Sequence, residues 1–278
     1  MESAAMALPA VPPYFGSERI ASTIAGRCAR HGPAKWTLVA AIATSIVGRL
    51  GATVQRGMAL TRDQIRDGHV RRMIAELGIA MRVLSEEELG ASRAATLAGV
   101  DLAGGVWLFG YGSLIWNPAF HFTDRLTGTI YGYHRRFCLW THLGRGCPER
   151  PGLVLGLERG GSCRGVAFHI APDAVEEELA IVWRREMISG AYVPRWVNVH
   201  TALGDIRAIT FVINQAHERY ARSLSDDRVA EVIATAQGWL GPCADYLINT
   251  IDHLAQLGIH DRPLEKLREQ VLARRTTP

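Results

Sequence analysis

Two patterns in this chain hold residues able to do chemistry. The first is a carboxylate in the wrong place for a solvated one. The segment "PDAVEEELAIVWRREMISGAY" reads as an amphipathic helix over 173–189, with Asp173 as its N-cap and Gly190 as its stop. Val175, Leu179, Val182 and Trp183 fall on one face at helical spacing. Glu186 projects from the middle of that apolar stripe, four residues after Val182 and three after Trp183. Burying an ionised carboxylate without a partner is costly, and desolvation raises its pKa towards the range of a base working near neutrality. Glu186 is therefore a general acid/base, or half of a structural ion pair with Arg135, Arg136 or Arg195. Glu176, Glu178, Arg184 and Arg185 read as largely solvated, and Glu177, opposite the Glu186 face, as surface.

The second pattern is "WLFGYGSLIW" at 107–116, a buried strand running into a loop with few side chains. Gly110 and Gly112 can take φ > 0 and let a ligand approach the main chain without a Cβ in the way. Successive N–H groups in such a turn form a nest for an anion. A dinucleotide fingerprint would need a third glycine where Ile115 stands, a phosphate loop would need GK[ST], and a nucleophile elbow around Ser113 would need glycines at positions 111 and 115. Alone, the glycine pair reads equally well as a tight structural turn.

The elements around these two sites set the fold class. Helical patterns cover 60–78 and 85–99, where Ser85 and Glu88 form a capping box. Strand patterns follow at 106–109, 128–142, 152–158 and 163–170, with "RGGS" between the last two as a hairpin turn. A further hairpin spans 193–213 around a Gly-Asp turn, and helices run over 226–239, 245–257 and 263–274. Consecutive strands with helices at both ends give an α+β domain whose strands form a small curved sheet or barrel.

Bulk properties exclude several classes. A net charge of +4 is too small to argue for nucleic acid. The five cysteines are scattered, without metal-ligand spacing, which fits free thiols in a reducing cytoplasm. The apolar run at 36–54 is interrupted by Arg49 and falls short of a membrane span. Residues 1–57 read as an N-terminal extension, poorly ordered apart from a helix around 36–50 or placed before the true start at Met58. Residues 58–278 read as the folded domain.

With both patterns in hand, "VWLFGYGSLIWNPAF", "GYHRRF", "RREMISGAYVPRWV" and "YLINTIDHLAQLGIHD" resemble, in order, the ChaC family of γ-glutamylcyclotransferases, from about residue 60 to the C-terminus. The resemblance implies a γ-glutamylcyclotransferase-like fold, a small mixed β-barrel with helices packed around it. It also implies a lyase that releases 5-oxoproline and cysteinylglycine from glutathione, with no metal and no cofactor. Carried over, Gly110, Tyr111, Gly112, Ser113, Leu114 and Ile115 bind the γ-glutamyl moiety, and Glu186 is the catalytic acid/base. Tyr192 is then a hydrogen-bonding partner of the substrate or of Glu186, or else a core tyrosine. Arg136 faces the substrate's glycine carboxylate, or else solvent. His121, His134 and His142 are structural or surface residues. The expected partner is a small molecule, with no nucleic acid and no membrane. Two alternatives stay open: cyclotransfer on other γ-glutamyl peptides or amines, and a non-catalytic regulator of cation transport.

Overall fold

The computed structural model of the chain describes residues 59–276; the expected extension at 1–57, with its helix at 36–50, lies outside them. Five strands close into a barrel: β1 (Val106–Gly110), β2 (Asp124–Thr141), β3 (Gly152–Ile170), β4 (Tyr192–Thr201) and β5 (Gly204–Ile213), in the order β1-β3-β2-β4-β5. All pairs are antiparallel except the closing one, where β1 runs parallel to β5 with Trp107 opposite Ala208. The expected α+β fold with a small mixed barrel is the one observed. Leu108, Phe109, Ile130, Phe137, Leu155 and Phe168 are almost fully buried, on the barrel's inner face or under the helices outside it.

The "RGGS" segment is not a hairpin turn. β3 passes straight through it, and its pairing with β2 steps from Tyr133–Arg159 to Tyr131–Ser162. Gly160 and Gly161 lie opposite Gly132, all three at positive φ (97°, 70° and 83°), so the glycines form a bulge within a long ribbon. Two strands expected separately are one because a bulge and a turn draw on the same residues.

The helices pack outside the barrel. The expected helix at 60–78 is broken into α1 (Arg62–Arg66) and α2 (His69–Glu76) by Gly68 at φ 67°. α3 (Glu86–Leu97) starts on the expected Ser85–Glu88 capping box. α4 (Ser113–Trp116) is one turn, followed later by α5 (Val175–Glu186). The tail forms α6 (Asp226–Thr235), the two-residue strands β6 (Gln237–Gly238) and β7 (Gly241–Pro242), α7 (Cys243–Gln256) and α8 (Arg262–Thr276).

Candidate active site

α5 delivers Glu186 as its last residue. Asp173 does not cap it: Pro172 starts a 3-10 turn over Pro172–Ala174, and the N-cap, Ala174, makes no side-chain bond. The helix also ends earlier than expected, at Glu186. The following turn closes with Gly190 at φ 71°, its N–H donating to Met187 O at 3.1 Å. The stripe is buried as its spacing requires, Val175, Leu179, Val182 and Trp183 being 0–3% exposed. Trp183 packs edge-on to Phe211 and its indole N–H donates to Ser92 Oγ at 3.2 Å. Burial of a large apolar side chain contributes about 1.5–3 kcal/mol. Four of them outweigh the several kcal/mol lost on drying one carboxylate.

The Glu186 side chain is 14% exposed, and its Oε1 accepts no hydrogen bond. Arg185 Nε stands 3.0 Å from Oε1, off the hydrogen-bond line, so the contact is coulombic only. Burial pushes the Glu186 carboxyl above its ordinary range, and the Arg185 charge partly opposes that rise. None of the three arginines expected as ion-pair partners reaches it. Arg135 pairs with Asp261 at 2.9 Å, Arg136 with Glu158 at 3.1 Å, and Arg195 is exposed.

Two expected surface residues on α5 are buried instead. Arg185 is 8% exposed; its Nη2 donates to Ser113 Oγ at 2.9 Å, and Nη1 donates to the carbonyls of Asn117 and Pro118. It ties the glycine loop to the end of α5. Glu178 is 2% exposed, in an ion pair with Arg62 of α1 and 3.1 Å from His121 Nδ1, and also accepts from the His121 backbone N–H at 2.9 Å. Both sit on the flank between stripe and solvent, where a helical wheel cannot tell which neighbour will cover them. Glu177 is exposed, as expected.

The loop reaches the same place from β1. Neither Gly110 nor Gly112 takes positive φ; Gly112 has φ −137°. Their glycine character is a matter of space. A Cβ on Gly110 would stand 3.0 Å from Leu114 Cβ, and one on Gly112 would stand 3.1 Å from the Tyr246 hydroxyl. Arg135, 7% exposed, fixes the loop by donating to Tyr111 O at 2.8 Å. The Tyr111 hydroxyl donates to Phe211 O at 2.8 Å.

Tyr111, Gly112, Ser113 and Leu114 line a small recess of about 20 Å³ together with Glu186, Tyr192 and Tyr246. It adjoins a cleft of about 210 Å³ that shares Ser113, Glu186, Tyr192 and Tyr246 and adds Trp116, Asn117, Arg145, Arg185 and Arg219. Gly110 ends β1 and Ile115 lies in the core; neither lines recess or cleft. Tyr192 does, and its hydroxyl donates to Leu155 O at 2.6 Å rather than to Glu186. Burial holds the phenols of Tyr111, Tyr192 and Tyr246 well above their ordinary value, so all three remain neutral donors.

Arg136 is not brought to this site. It bonds Glu158 and the carbonyls of Arg222 and Leu224, and it lines a separate cavity between β2 and α8. It does not line the cleft, and its side chain stays 32% exposed, in keeping with the solvent-facing alternative. His121 and His134 are surface residues that bond Glu178 and Gly160 O, and His142 is half-buried.

The reading from spacing missed Arg135, Arg185, Arg219 and Tyr246. Tyr246 opens "YLINTIDHLAQLGIHD", so its signal was present in the sequence.

The family model for ChaC-like protein matches residues 106–274. The chain is 39% identical over 209 residues to the glutathione-specific gamma-glutamylcyclotransferase of Escherichia coli (strain K12), spanning 75% of this chain and 90% of that one. It is 30% identical over 173 residues to glutathione-specific gamma-glutamylcyclotransferase 1 of Mus musculus, spanning 60% and 78%. A crystal structure of the yeast gamma-glutamyl cyclotransferase specific to glutathione superposes with a TM-score of 0.59 at 24% identity, over 63% of this chain and 99% of that one; this likeness speaks to the fold.

Proposed function

The chain belongs to the ChaC-like protein family, and on that premise we propose that it is a lyase converting glutathione into 5-oxoproline and cysteinylglycine. The observation that carries this reading is the shared recess: a poorly hydrated carboxylate faces a glycine loop across a pocket walled by three neutral tyrosines.

The chemistry follows from the groups present. The γ-glutamyl α-amine is an ammonium near neutrality and cannot attack until it loses a proton. Glu186 takes that proton. The freed amine attacks the γ-carbonyl carbon, a new C–N bond closes the five-membered ring, and the carbonyl oxygen becomes an oxyanion. As the tetrahedral centre collapses, the bond to the cysteinyl nitrogen breaks and Glu186 returns the proton to that nitrogen; the ring nitrogen gives up its second proton to the released amine, which departs as an ammonium and leaves a neutral lactam. No water enters.

The loop is suited to the negative groups. The carbonyls of Tyr111, Gly112 and Ser113 already accept bonds from Arg135, Ile115 and Asn117, which leaves N–H groups as the loop's main-chain offering to the substrate. Holding a flexible γ-glutamyl chain bent for ring closure supplies a large part of the acceleration.

The domain for this chemistry is 58–278, with 1–57 as an extension. A reducing cytoplasm suits the free thiols of Cys138, Cys147, Cys163 and Cys243; no described helix is long and apolar enough to cross a membrane. Incubation of the purified protein with glutathione is the test. Stoichiometric 5-oxoproline and cysteinylglycine are expected, and unchanged glutathione overturns the proposal.

A further inference from the structure

A cyclotransferase must hold the end of its substrate that leaves, as well as the end that cyclises. In glutathione the leaving portion is cysteinylglycine, whose terminal carboxylate lies up to about 7 Å from the γ-carbonyl when extended. Its receptor therefore belongs on a wall of the same cleft, away from the reacting end. Arg136, the candidate raised alongside the family resemblance, lies in a different cavity.

Three other arginines line the cleft, and they are not equivalent. Arg185 is bound to Ser113 and to the carbonyls of Asn117 and Pro118, and stands against Glu186, so it belongs to the reacting end. Arg145 is tied to the carbonyls of Leu240 and Pro242, with the Asp245 charge nearby. Arg219 differs from both. Its Nε donates to Trp140 O at 2.8 Å and its Nη1 to Ser189 Oγ at 3.3 Å, both neutral acceptors. Among the described residues no carboxylate stands within ion-pair distance of it; Glu218, its neighbour in sequence, is exposed.

The guanidinium is nevertheless built in. The Trp140 N–H donates to Arg219 O at 2.9 Å, and Leu139 bridges Tyr220, so its backbone is pinned to β2. We propose that Arg219 receives the terminal carboxylate of the cysteinylglycine portion and so sets the preference for a γ-glutamyl peptide ending in a free acid. This inference rests on the cyclotransferase reading above.

Two electrostatic facts agree with it. Burial lowers the Arg219 guanidinium from its ordinary value despite some support from the Glu218 charge. Burial and the Arg219 charge together hold the imidazole of His142 below its own. That wall of the cleft thus carries a largely buried positive charge, while the neighbouring Glu218 carboxylate is exposed. A fixed guanidinium facing a carboxylate forms charge-assisted, often bidentate bonds.

The test compares glutathione with its glycine amide, which has the same scissile bond and lacks the terminal charge. For the wild type, kcat/KM is expected to be on the order of 10- to 100-fold lower on the amide, the factor typical of a lost hydrogen bond to a charged group. Arg219→Gln should lose a similar factor on glutathione and bring the acid-to-amide ratio close to one. Arg219→Lys, which keeps the charge without the fork, should retain part of the ratio. A wild-type ratio near one overturns the inference while leaving the cyclotransferase reading intact, and so does a full ratio in a folded Arg219→Gln. If Arg219→Gln does not fold, a full wild-type ratio in Arg219→Lys overturns it and a reduced one supports it. No 5-oxoproline from either compound with the wild type overturns both readings.

Discussion

Arg185 and Glu186 are adjacent in sequence, and the guanidinium Nε of one stands 3.0 Å from the carboxylate Oε1 of the other without donating a hydrogen bond to it. The attraction favours the ionised carboxylate but leaves its lone pairs unoccupied. A carboxylate fully bonded to a guanidinium would be a weaker proton acceptor. Here burial and charge pull the pKa in opposite directions and burial dominates. Arg185 meanwhile fixes Ser113, so one side chain both moderates the base and holds the loop it faces.

Replacing Glu186 with Gln removes the proton carrier while keeping the shape. Formation of 5-oxoproline should fall about 10²- to 10⁴-fold. Stability should move the other way. The folded pKa of Glu186 lies above its ordinary value of 4.5, so the fold disfavours the ionised form once pH passes that value. Below pH 4.5 the carboxyl is protonated folded and unfolded, and the penalty vanishes. The melting temperature of Glu186→Gln should therefore equal or exceed that of the wild type at pH 7, with the gap closing in acid. A variant less stable than wild type at neutrality would show that the carboxylate is structural.

The pH dependence of kcat/KM should carry an acid limb above the ordinary carboxylate range, because the base works only when ionised. Arg185→Gln takes away the charge that, among the described residues, lowers the Glu186 pKa, so the limb should move to higher pH. A purely structural role for Arg185 would lower activity at all pH values and leave the limb in place.

Much of this site could be read from the sequence, for an identifiable reason. The apolar stripe 175–179–182–183 is a periodicity, which a chain displays without its partners, and it placed Glu186 correctly. The glycine loop was legible as a place of small side chains. Its glycines, however, serve close packing against Leu114 and Tyr246 rather than positive φ, and that depends on residues far away in the chain. The buried ionic groups were the least legible. Arg185 and Glu178 look like solvated helix residues until loop and α1 are laid over them, and Arg136 looks available until Glu158 is seen beside it. Spacing shows which face a charge occupies, not what covers that face.

Gly112 gives a test of the packing account. Gly112→Ala would put a Cβ 3.1 Å from the Tyr246 hydroxyl, closer than ordinary contact, on the wall of the recess. Overpacking of this kind costs about 1–3 kcal/mol, and activity should fall with it. Adding Tyr246→Phe removes the clashing oxygen, so the double variant should recover stability relative to Gly112→Ala in a double-mutant cycle. Strictly additive losses would place the need for glycine in the backbone instead.

The Arg62–Glu178 pair gives the last prediction, because it links the start of the domain to the active-site helix. Burial alone would raise the Glu178 carboxyl, but the hydrogen bonds from Arg62 and from the His121 N–H bring it below its ordinary value. A lowered folded pKa means that this contribution to stability is present above pH 4.5 and is lost as pH falls through the folded value. Arg62→Ala leaves a 2%-exposed carboxylate without its main partner. Since Arg62 itself is 19% exposed and partly screened, the loss should be about 2–3 kcal/mol in urea unfolding at pH 7. It should shrink towards zero as the solution is acidified, since protonated Glu178 has no charge left to pair. Activity should fall as well. Asn117 beside the loop donates to Leu60 O at 2.9 Å, and both line the cleft that Glu186 lines, so loosening α1 disturbs the wall of that cleft. A loss of stability that does not depend on pH would show that Arg62 acts through packing of its stem rather than through its charge.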